Sequence, residues 1–351
     1  MAEGIGKSVL VTGGSGYLGG WCIAGLLERG YDVRTTVRDL AREQRVRDSV
    51  ASQVDPGERL TILAADLTRD NGWADAVAGC DYVLHVASPF PPKQPKDPDE
   101  LIVPAREGTL RVLRAALDAG VKRVVVTSSI AAIRAAPPRA ANRPLDEGDW
   151  TDPDADGLTP YVRSKAIAER AAWDLARARG AEDQVAVVNP GVIIGPVLND
   201  DLSYSLETVQ RMLRGMPGVP RLGFNLVDVR DVVELELAAM TSPAAGGERF
   251  IAVTKFLWMG EIGKILRERL GPAASKVPTR TVPNLVVRAM SLFDPGIRSV
   301  VSGLGKRVEL SSEKARSKLG WSPRPIEATI AETAESLIRQ GVVENPAAAT
   351  A

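Results

Sequence analysis

An α/β fold with a doubly wound parallel sheet is predicted for this chain of 351 residues, with a smaller C-terminal part interleaved with it. Three observations predict it. Short apolar runs of strand length recur up to Asn189 with helical stretches between them, the alternation that builds a parallel sheet. The opening stretch reads as strand, glycine-rich turn, helix and strand. Beyond Gly195 the pattern changes, and helical stretches such as Leu206 to Leu213 and Glu261 to Leu270 alternate with proline-rich links.

The first element is the apolar run Ser8 to Thr12, a buried strand. Gly13, Gly16 and Gly19 follow, and then Leu18, Cys22 and Leu26, with Ile23 and Leu27 beside them, recur at helical spacing. Gly30 stops that helix, and Tyr31 to Val37 is the next strand. Gly13 permits a sharp turn, Gly16 lets backbone approach a pyrophosphate, and Gly19 lets helix and strand pack closely. The helix N-terminus then turns unpaired N–H groups and a positive dipole end toward phosphate. This is the context in which a glycine triplet marks a dinucleotide site of Rossmann type.

The end of the second strand selects the nucleotide. An acid there binds the ribose 2′-hydroxyl of NAD, whereas an arginine pairs with the 2′-phosphate of NADP. Here Arg38 comes first, with Arg42 and Arg45 following at helical spacing, which points to NADP. Asp39, Glu43 and Asp48 leave a solvated, charge-mixed helix as the alternative.

Leu60 to Ala64 is the third strand. Asp66, just beyond it, either accepts from the adenine amino group or caps the next helix. Tyr82 to Val86 is the fourth, with the small residues Ala87 and Ser88 letting the chain pass close to a ribose. His85 inside it reads as a packed, hydrogen-bonded residue. Phe90 to Glu100, rich in proline and charge, reads as an exposed loop at the mouth of a substrate cleft. Leu101, Ala105, Thr109, Val112 and Ala116 then form a helical stripe, in which Gly108 implies close packing. Arg123 to Thr127 is the fifth strand. It opens into Ser128 and Ser129, hydroxyls at the carboxyl end where ligands of such sheets bind.

Pro160 precedes a helix over Tyr161 to Arg179. Tyr161 and Lys165 stand four residues apart and share one face of it. Reducing a carbonyl requires a hydride and a proton. A phenol, whose pKa is ordinarily about 10, becomes a competent proton donor and acceptor when neighbouring positive charge favours phenolate. Lys165 supplies such charge and also reaches ribose hydroxyls. Ser129 is placed to donate to the carbonyl oxygen. The spacing alone is weak; its position after a nucleotide turn and a serine pair gives it weight. Val185 to Asn189 is the sixth strand, ended by Pro190 and Gly191.

Taken together, Thr12-Gly-Gly-Ser-Gly-Tyr-Leu-Gly19, Thr36-Val-Arg-Asp39, His85-Val-Ala-Ser-Pro89, Thr127-Ser-Ser129, Tyr161-Val-Arg-Ser-Lys165, Asn189-Pro-Gly-Val192 and Leu319-Gly-Trp-Ser-Pro323 resemble the extended short-chain dehydrogenase/reductases. The group resembled is that of dihydroflavonol reductase, cinnamoyl-CoA reductase and bacterial aldehyde reductases. The resemblance implies a triad of Ser129, Tyr161 and Lys165. It also implies NADP contacts from Thr12, Gly13, Ser15, Gly16, Tyr17, Leu18, Arg38, Arg45, Asp66, Leu67, Val86, Ala87, Ser88, Thr127, Tyr161, Lys165, Pro190, Gly191, Val192 and Ser205. Ile130 to Arg134 lacks the polar substrate-binding residue of the plant flavonoid enzymes, which argues against a flavonoid. The function expected is NADPH-dependent reduction of an aldehyde or ketone. The alternatives are a nucleotide-sugar epimerase using the same triad and a non-catalytic NADP-sensing module.

Residues 1–194 are thus expected to form the dinucleotide-binding domain, with 225–253 returning to it through strands at Asn225 to Val229 and Arg249 to Val253. Residues 195–224 and 254–345 form a substrate-binding domain, in which Phe224, Phe256, Trp258 and Met259 either line a pocket or pack a core. Ser312 to Leu319 and Ile326 to Gln340 read as closing helices, and 346–351 as a tail. Lysine plus arginine equals aspartate plus glutamate, 44 against 44, so no nucleic-acid or membrane partner is expected. Two cysteines and one histidine exclude a disulfide framework and a Cys/His zinc site. The N-terminus lacks a signal-peptide pattern. A cytoplasmic monomer or homodimer acting on a small carbonyl substrate, without metal, is the expectation.

Overall fold

A computed structural model describes residues 4–89, 95, 97–136, 143–199, 204–293 and 301–344. Most of the proline-rich stretch from Phe90, and the tail from Asn345, lie outside the described residues. In chain order the elements are β1 (Ser8–Val11), α1 (Tyr17–Glu28), β2 (Asp32–Val37), α2 (Glu43–Ala51), β3 (Leu60–Ala64), α3 (Trp73–Val77), β4 (Tyr82–His85), α4 (Asp99–Asp118), β5 (Arg123–Thr127), α5 (Pro160–Ala178) and β6 (Val185–Pro190). There follow β7 (Val192–Ile194), α6 (Glu207–Arg214), β8 (Val219–Pro220), β9 (Gly223–Asp228), α7 (Val229–Thr241), β10 (Glu248–Ala252), β11 (Lys255–Trp258), α8 (Met259–Leu270), β12 (Thr281–Val282), α9 (Asn284–Met290), α10 (Glu313–Leu319) and α11 (Ile326–Arg339).

The chain forms two compact units. The first comprises Met1–Pro190, Val232–Ala252 and Ser311–Ser322. Its sheet has seven strands in the order β10-β6-β5-β4-β1-β2-β3, every pair parallel. The strands are apolar runs rather than alternating ones because helices cover both faces; all six residues of β6 are buried. One face packs Leu10, Val83, Val124, Val126 and Val187 against Val112 and Leu113 of α4 and Ala172 and Trp173 of α5. On α1, a Cβ at Gly25 would lie 2.9 Å from Val233 of α7. Strand order reverses at β1, flanked by β2 and β4, and the crevice at the carboxyl ends there is where such sheets bind ligands.

The second unit comprises Gly191–Asp231, Val253–Leu310 and Pro323–Ala351. It holds a three-stranded sheet, β11-β9-β7, and the pair β12-β8. Strand formation at Asn225 to Val229 was expected, but β9 does not join the large sheet. It pairs parallel to β7, Val192 opposite Leu226, and antiparallel to β11. The physical reason is a close backbone approach, since a Cβ at Gly191 would stand 2.3 Å from the Asn225 carbonyl oxygen. Asp228, buried at the end of β9, accepts from Arg230 and from Thr329 of α11, so its charge is paired as burial requires.

Candidate active site

The glycine turn is built by contacts that no side chain could share. Gly13 has φ of +74°, and Ala87, leaving β4, lies 3.0 Å from where its Cβ would be. A Cβ at Gly19 would fall 2.4 Å from the Gly13 carbonyl oxygen, and one at Gly14 only 2.2 Å from Thr35 Oγ1 on β2. Gly14 was not singled out from the sequence, although its place beneath a β-branched neighbour explains it. Gly16 is the N-cap of α1, is exposed, and supplies no side-chain cap. A helix N-terminus without a side-chain cap, reached through a glycine turn, fits a dinucleotide pyrophosphate.

Thr12 is fully buried; its hydroxyl accepts from the Ala87 N–H and lies 3.0 Å from His85 Nδ1. Its backbone N–H donates to the Leu84 carbonyl, so Thr12 ties β1 to β4 beneath the turn. His85 is a packed residue, as its place inside a strand suggests: burial first, and then the Lys165 charge, push its pKa down to about 3. Val86, Ala87 and Ser88 leave the strand half-buried.

Arg38 stands exposed at the end of β2, with Arg42 in a short 3-10 turn and Arg45 exposed on α2. Asp39 takes part in the turn, one carboxylate oxygen accepting from Ala41 N–H. Asp66 does not cap the next helix, whose N-cap is Gly72; one carboxylate oxygen accepts from the Thr68 backbone and hydroxyl in a local turn, which together with the Arg38 and Arg69 charges lowers its pKa against the opposing effect of burial. Leu67 packs where a Cβ on Gly108 would meet it at 2.8 Å, so Gly108 makes way for the chain beyond β3. Thr127 donates to Glu236 Oε1 of α7 at 2.5 Å, with Cys22 Sγ 3.2 Å from the other oxygen. That buried carboxyl was invisible in the sequence, and it occupies the hydroxyl expected to face the nucleotide. Pro190 closes β6, while Gly191, Val192 and Ser205 belong to the second unit.

Ser129, Tyr161 and Lys165, the residues expected to act together, lie toward the carboxyl ends of β5 and β6. Thr159 caps α5 by accepting from Val162 N–H, with Pro160 at its first position, so Tyr161 sits in the opening turn. Its hydroxyl is hydrogen-bonded to the Ser129 side chain. Ser129 Oγ also accepts from Ala131 N–H, which fixes the serine rotamer. Ser128 points elsewhere, donating to Glu169, and this separates the adjacent serines by role. Tyr161 keeps part of its surface accessible, but the protein around it desolvates the phenol. Burial pushes its pKa up, opposed by the Ser129 hydrogen bond and the Arg134 charge. The expectation that Lys165 would pull it down is not met in the protein alone, and the cation acting on the phenol is Arg134. Lys165 itself is 9% exposed, and burial lowers its pKa to about 8 against the pull of Glu169.

Beneath the triad lies a network that the sequence reading missed. Glu169 stands one turn beyond Lys165 on the same face of α5. It accepts from Ser128, from Asn189 Nδ2 at 2.7 Å, and from Arg249 Nε of β10. Asn189 Nδ2 also donates to the Ser129 carbonyl. Arg249 donates to the Glu147 and Asp149 carbonyls and lies 3.5 Å over the Trp150 ring. The signal available was periodicity, because Tyr161, Lys165 and Glu169 repeat every four residues.

In the second unit Phe256 and Trp258 meet edge to face at 5.0 Å, under Arg307 and Arg221 respectively. Phe224 is half-buried and Met259 buried. Among the described residues no cluster suited to a metal ion occurs, and no helix is long and apolar enough to cross a membrane.

A Rossmann sheet with a glycine turn, an uncapped helix N-terminus and a Tyr–Lys pair defines a dinucleotide-dependent enzyme. The chain belongs to the NAD dependent epimerase/dehydratase family, whose model matches residues 9–252, and within it to the extended short-chain type. It is 35% identical over 341 residues to cinnamoyl-CoA reductase CAD2 of Medicago truncatula, covering 96% of this chain and 97% of that one. It is 34% identical to dihydroflavonol 4-reductase of Zea mays over 77% of each. The yeast methylglyoxal/isovaleraldehyde reductase Gre2, solved with NADPH, shares the fold with a TM-score of 0.78 at 23% identity, over 96% of this chain and 99% of that chain.

Proposed function

We propose that the protein is an NADPH-dependent carbonyl reductase that converts an aldehyde or ketone to an alcohol. The observation that carries the reading is the Ser129–Tyr161 hydrogen bond with Lys165 one turn further along the same helix. The reductase relatives support it. NADPH, when bound, supplies the hydride. The glycine turn and the N-terminus of α1 would hold the pyrophosphate, Arg38 and Arg45 the 2′-phosphate, and Lys165 the ribose hydroxyls. Ser129 Oγ donates to the carbonyl oxygen and fixes it beside the phenol. Tyr161 Oη gives that oxygen its proton as the C–O double bond becomes single. The Arg134 charge opposes the burial that disfavours phenolate, and Lys165, cationic below about pH 8, would serve the nucleotide's ribose.

The test is Tyr161→Phe assayed against a panel of aldehydes and ketones by NADPH loss. General acid catalysis contributes about 10²–10⁴-fold, and a loss of that size with NADPH binding retained is expected. Full activity in the variant would sink the assignment. An epimerase would instead keep its nucleotide through purification and consume none.

A further inference from the structure

We propose that Asn189 is a positioning residue for the reduction: its amide restrains the Ser129 backbone so that the serine hydroxyl stays on the Tyr161 phenol. The inference rests on the reading above and adds a residue to its machinery.

Strands β5 and β6 pair in parallel up to Thr127 opposite Val188, and the Ser128 N–H donates to the Val188 carbonyl at 2.8 Å. The next donor from β6 toward β5 falls to Pro190, which has no N–H. Backbone pairing therefore stops where Ser129 begins. Ser129 is still extended, with φ of −165° and ψ of 155°, and the 3-10 turn Ile130–Ala132 follows it. At this point the Asn189 side chain takes over from the ladder. Its Nδ2 donates to the Ser129 carbonyl at 3.2 Å and to Glu169 Oε2 at 2.7 Å. The Ala132 N–H shares that carbonyl at 3.0 Å.

The amide has one usable orientation. Reversed, it would set Oδ1 against the Glu169 carboxylate, acceptor against acceptor. In the orientation held, Oδ1 has no hydrogen-bond partner among the described residues. Asn189 is fully buried, so an unpartnered oxygen there is costly, and an apolar side chain of similar shape would avoid that cost. A residue kept for packing alone would not carry it. What the amide gains is a grip on the serine from a fixed anchor, because Glu169 is itself held by Arg249 and Ser128. On the gripped residue, Oγ accepts from Ala131 N–H and is bonded to Tyr161. Carbonyl and hydroxyl of Ser129 are thus restrained separately, and Asn189 supplies the restraint that comes from outside its own turn.

A double-mutant cycle tests this. Asn189→Leu, of similar shape but without the donor, is made in wild type and in Ser129→Ala, and kcat is read by NADPH loss on a panel of aldehydes and ketones. In wild type the substitution should lower kcat by about tenfold or more, a part of the 10²–10³-fold that removing an oxyanion donor costs, with NADPH affinity unchanged. In Ser129→Ala no hydroxyl is left to position, and the same substitution should change kcat by less than about twofold. A second measurement does not need turnover: the Tyr161 phenolate is followed by ultraviolet absorbance after rapid pH jumps, with Tyr161→Phe as the blank. Burial raises the phenol's pKa and the Ser129 hydrogen bond opposes it, so Asn189→Leu should move it further up. Equal kcat losses in both backgrounds, or a phenol titration that does not move, would overturn the proposal and leave the reductase reading standing. If Asn189→Leu does not fold, Asn189→Asp, of the same shape, goes through the same cycle, and failure of both to bind NADPH would assign Asn189 to the fold alone. A wild type that reduces no carbonyl while the phenol titration still moves would end the reductase reading and keep the positioning role.

Discussion

At the scale of single residues, the chemistry depends on groups whose protonation burial has shifted. Lys165 carries a pKa of about 8 where an exposed lysine has 10.5. Its charge is lost as pH rises through 8, so the rate of carbonyl reduction should decline above that pH, measured as kcat against pH. The same shift has a cost in stability. Between pH 8 and 10.5 the unfolded chain binds a proton that the folded chain does not, so this group opposes folding at neutral pH. Lys165→Met should therefore unfold at higher denaturant concentration than wild type at pH 7 while losing nearly all activity. Glu169 is the opposite case. Its removal strands the buried Arg249, and breaking a buried pair costs roughly 3–5 kcal/mol. Glu169→Ala should show that loss in urea unfolding, and lower Tyr161-dependent turnover through a displaced Ser129.

At the scale of elements, the turn between β1 and α1 is the part least tolerant of change. Gly14→Ala drives a Cβ into Thr35, and Gly19→Ala drives one into the Gly13 carbonyl. Thr35 is fixed in β2 and the Gly13 carbonyl is backbone of the turn, so the turn itself must move. NADPH affinity should fall at least tenfold in either variant, read by fluorescence titration. The end of β2 tests nucleotide choice. Replacing both Arg38 and Arg45 with Ala removes the charges proposed for the 2′-phosphate. With hydrogen bonds to charged groups worth about 1.5–3 kcal/mol each, NADPH should weaken by more than tenfold while NADH is nearly unchanged. Equal losses for the two nucleotides would place the phosphate elsewhere.

At the scale of the whole molecule, two fully buried groups shape stability against pH. His85, at about 3 instead of 6.5, contributes stability above pH 6.5 that is lost as pH falls toward 3. Glu236, raised by burial to about 7 from 4.5, contributes stability below pH 4.5 that is lost as pH rises through 7. Their slopes oppose each other between pH 4.5 and 6.5, where the curve should be flat. Glu236→Gln keeps an acceptor for Thr127 and removes the titration. Relative to wild type it should gain stability from pH 4.5 to 7, by on the order of 3 kcal/mol at full shift. A constant difference between the two proteins across that window would show that Glu236 stays ionised when folded.

Period and local turn chemistry, which are properties of neighbouring residues, are legible in the sequence. The strand at Ser8 to Thr12, the turn at Gly13, the serines after Thr127, and Tyr161 with Lys165 on one helix face all follow from spacing of a few residues. The three-dimensional arrangement alone settled what depends on contacts between distant segments. It sent β9 to a sheet of its own, because the strand pattern at Asn225 to Val229 does not name its partner. It turned Ser128 toward Glu169 and Ser129 toward Tyr161, although the two are chemically identical neighbours. It gave Thr127 to a carboxyl on α7. Hydrogen bonds and desolvation act through space, so the same side chain is inert or reactive according to what the fold brings to it.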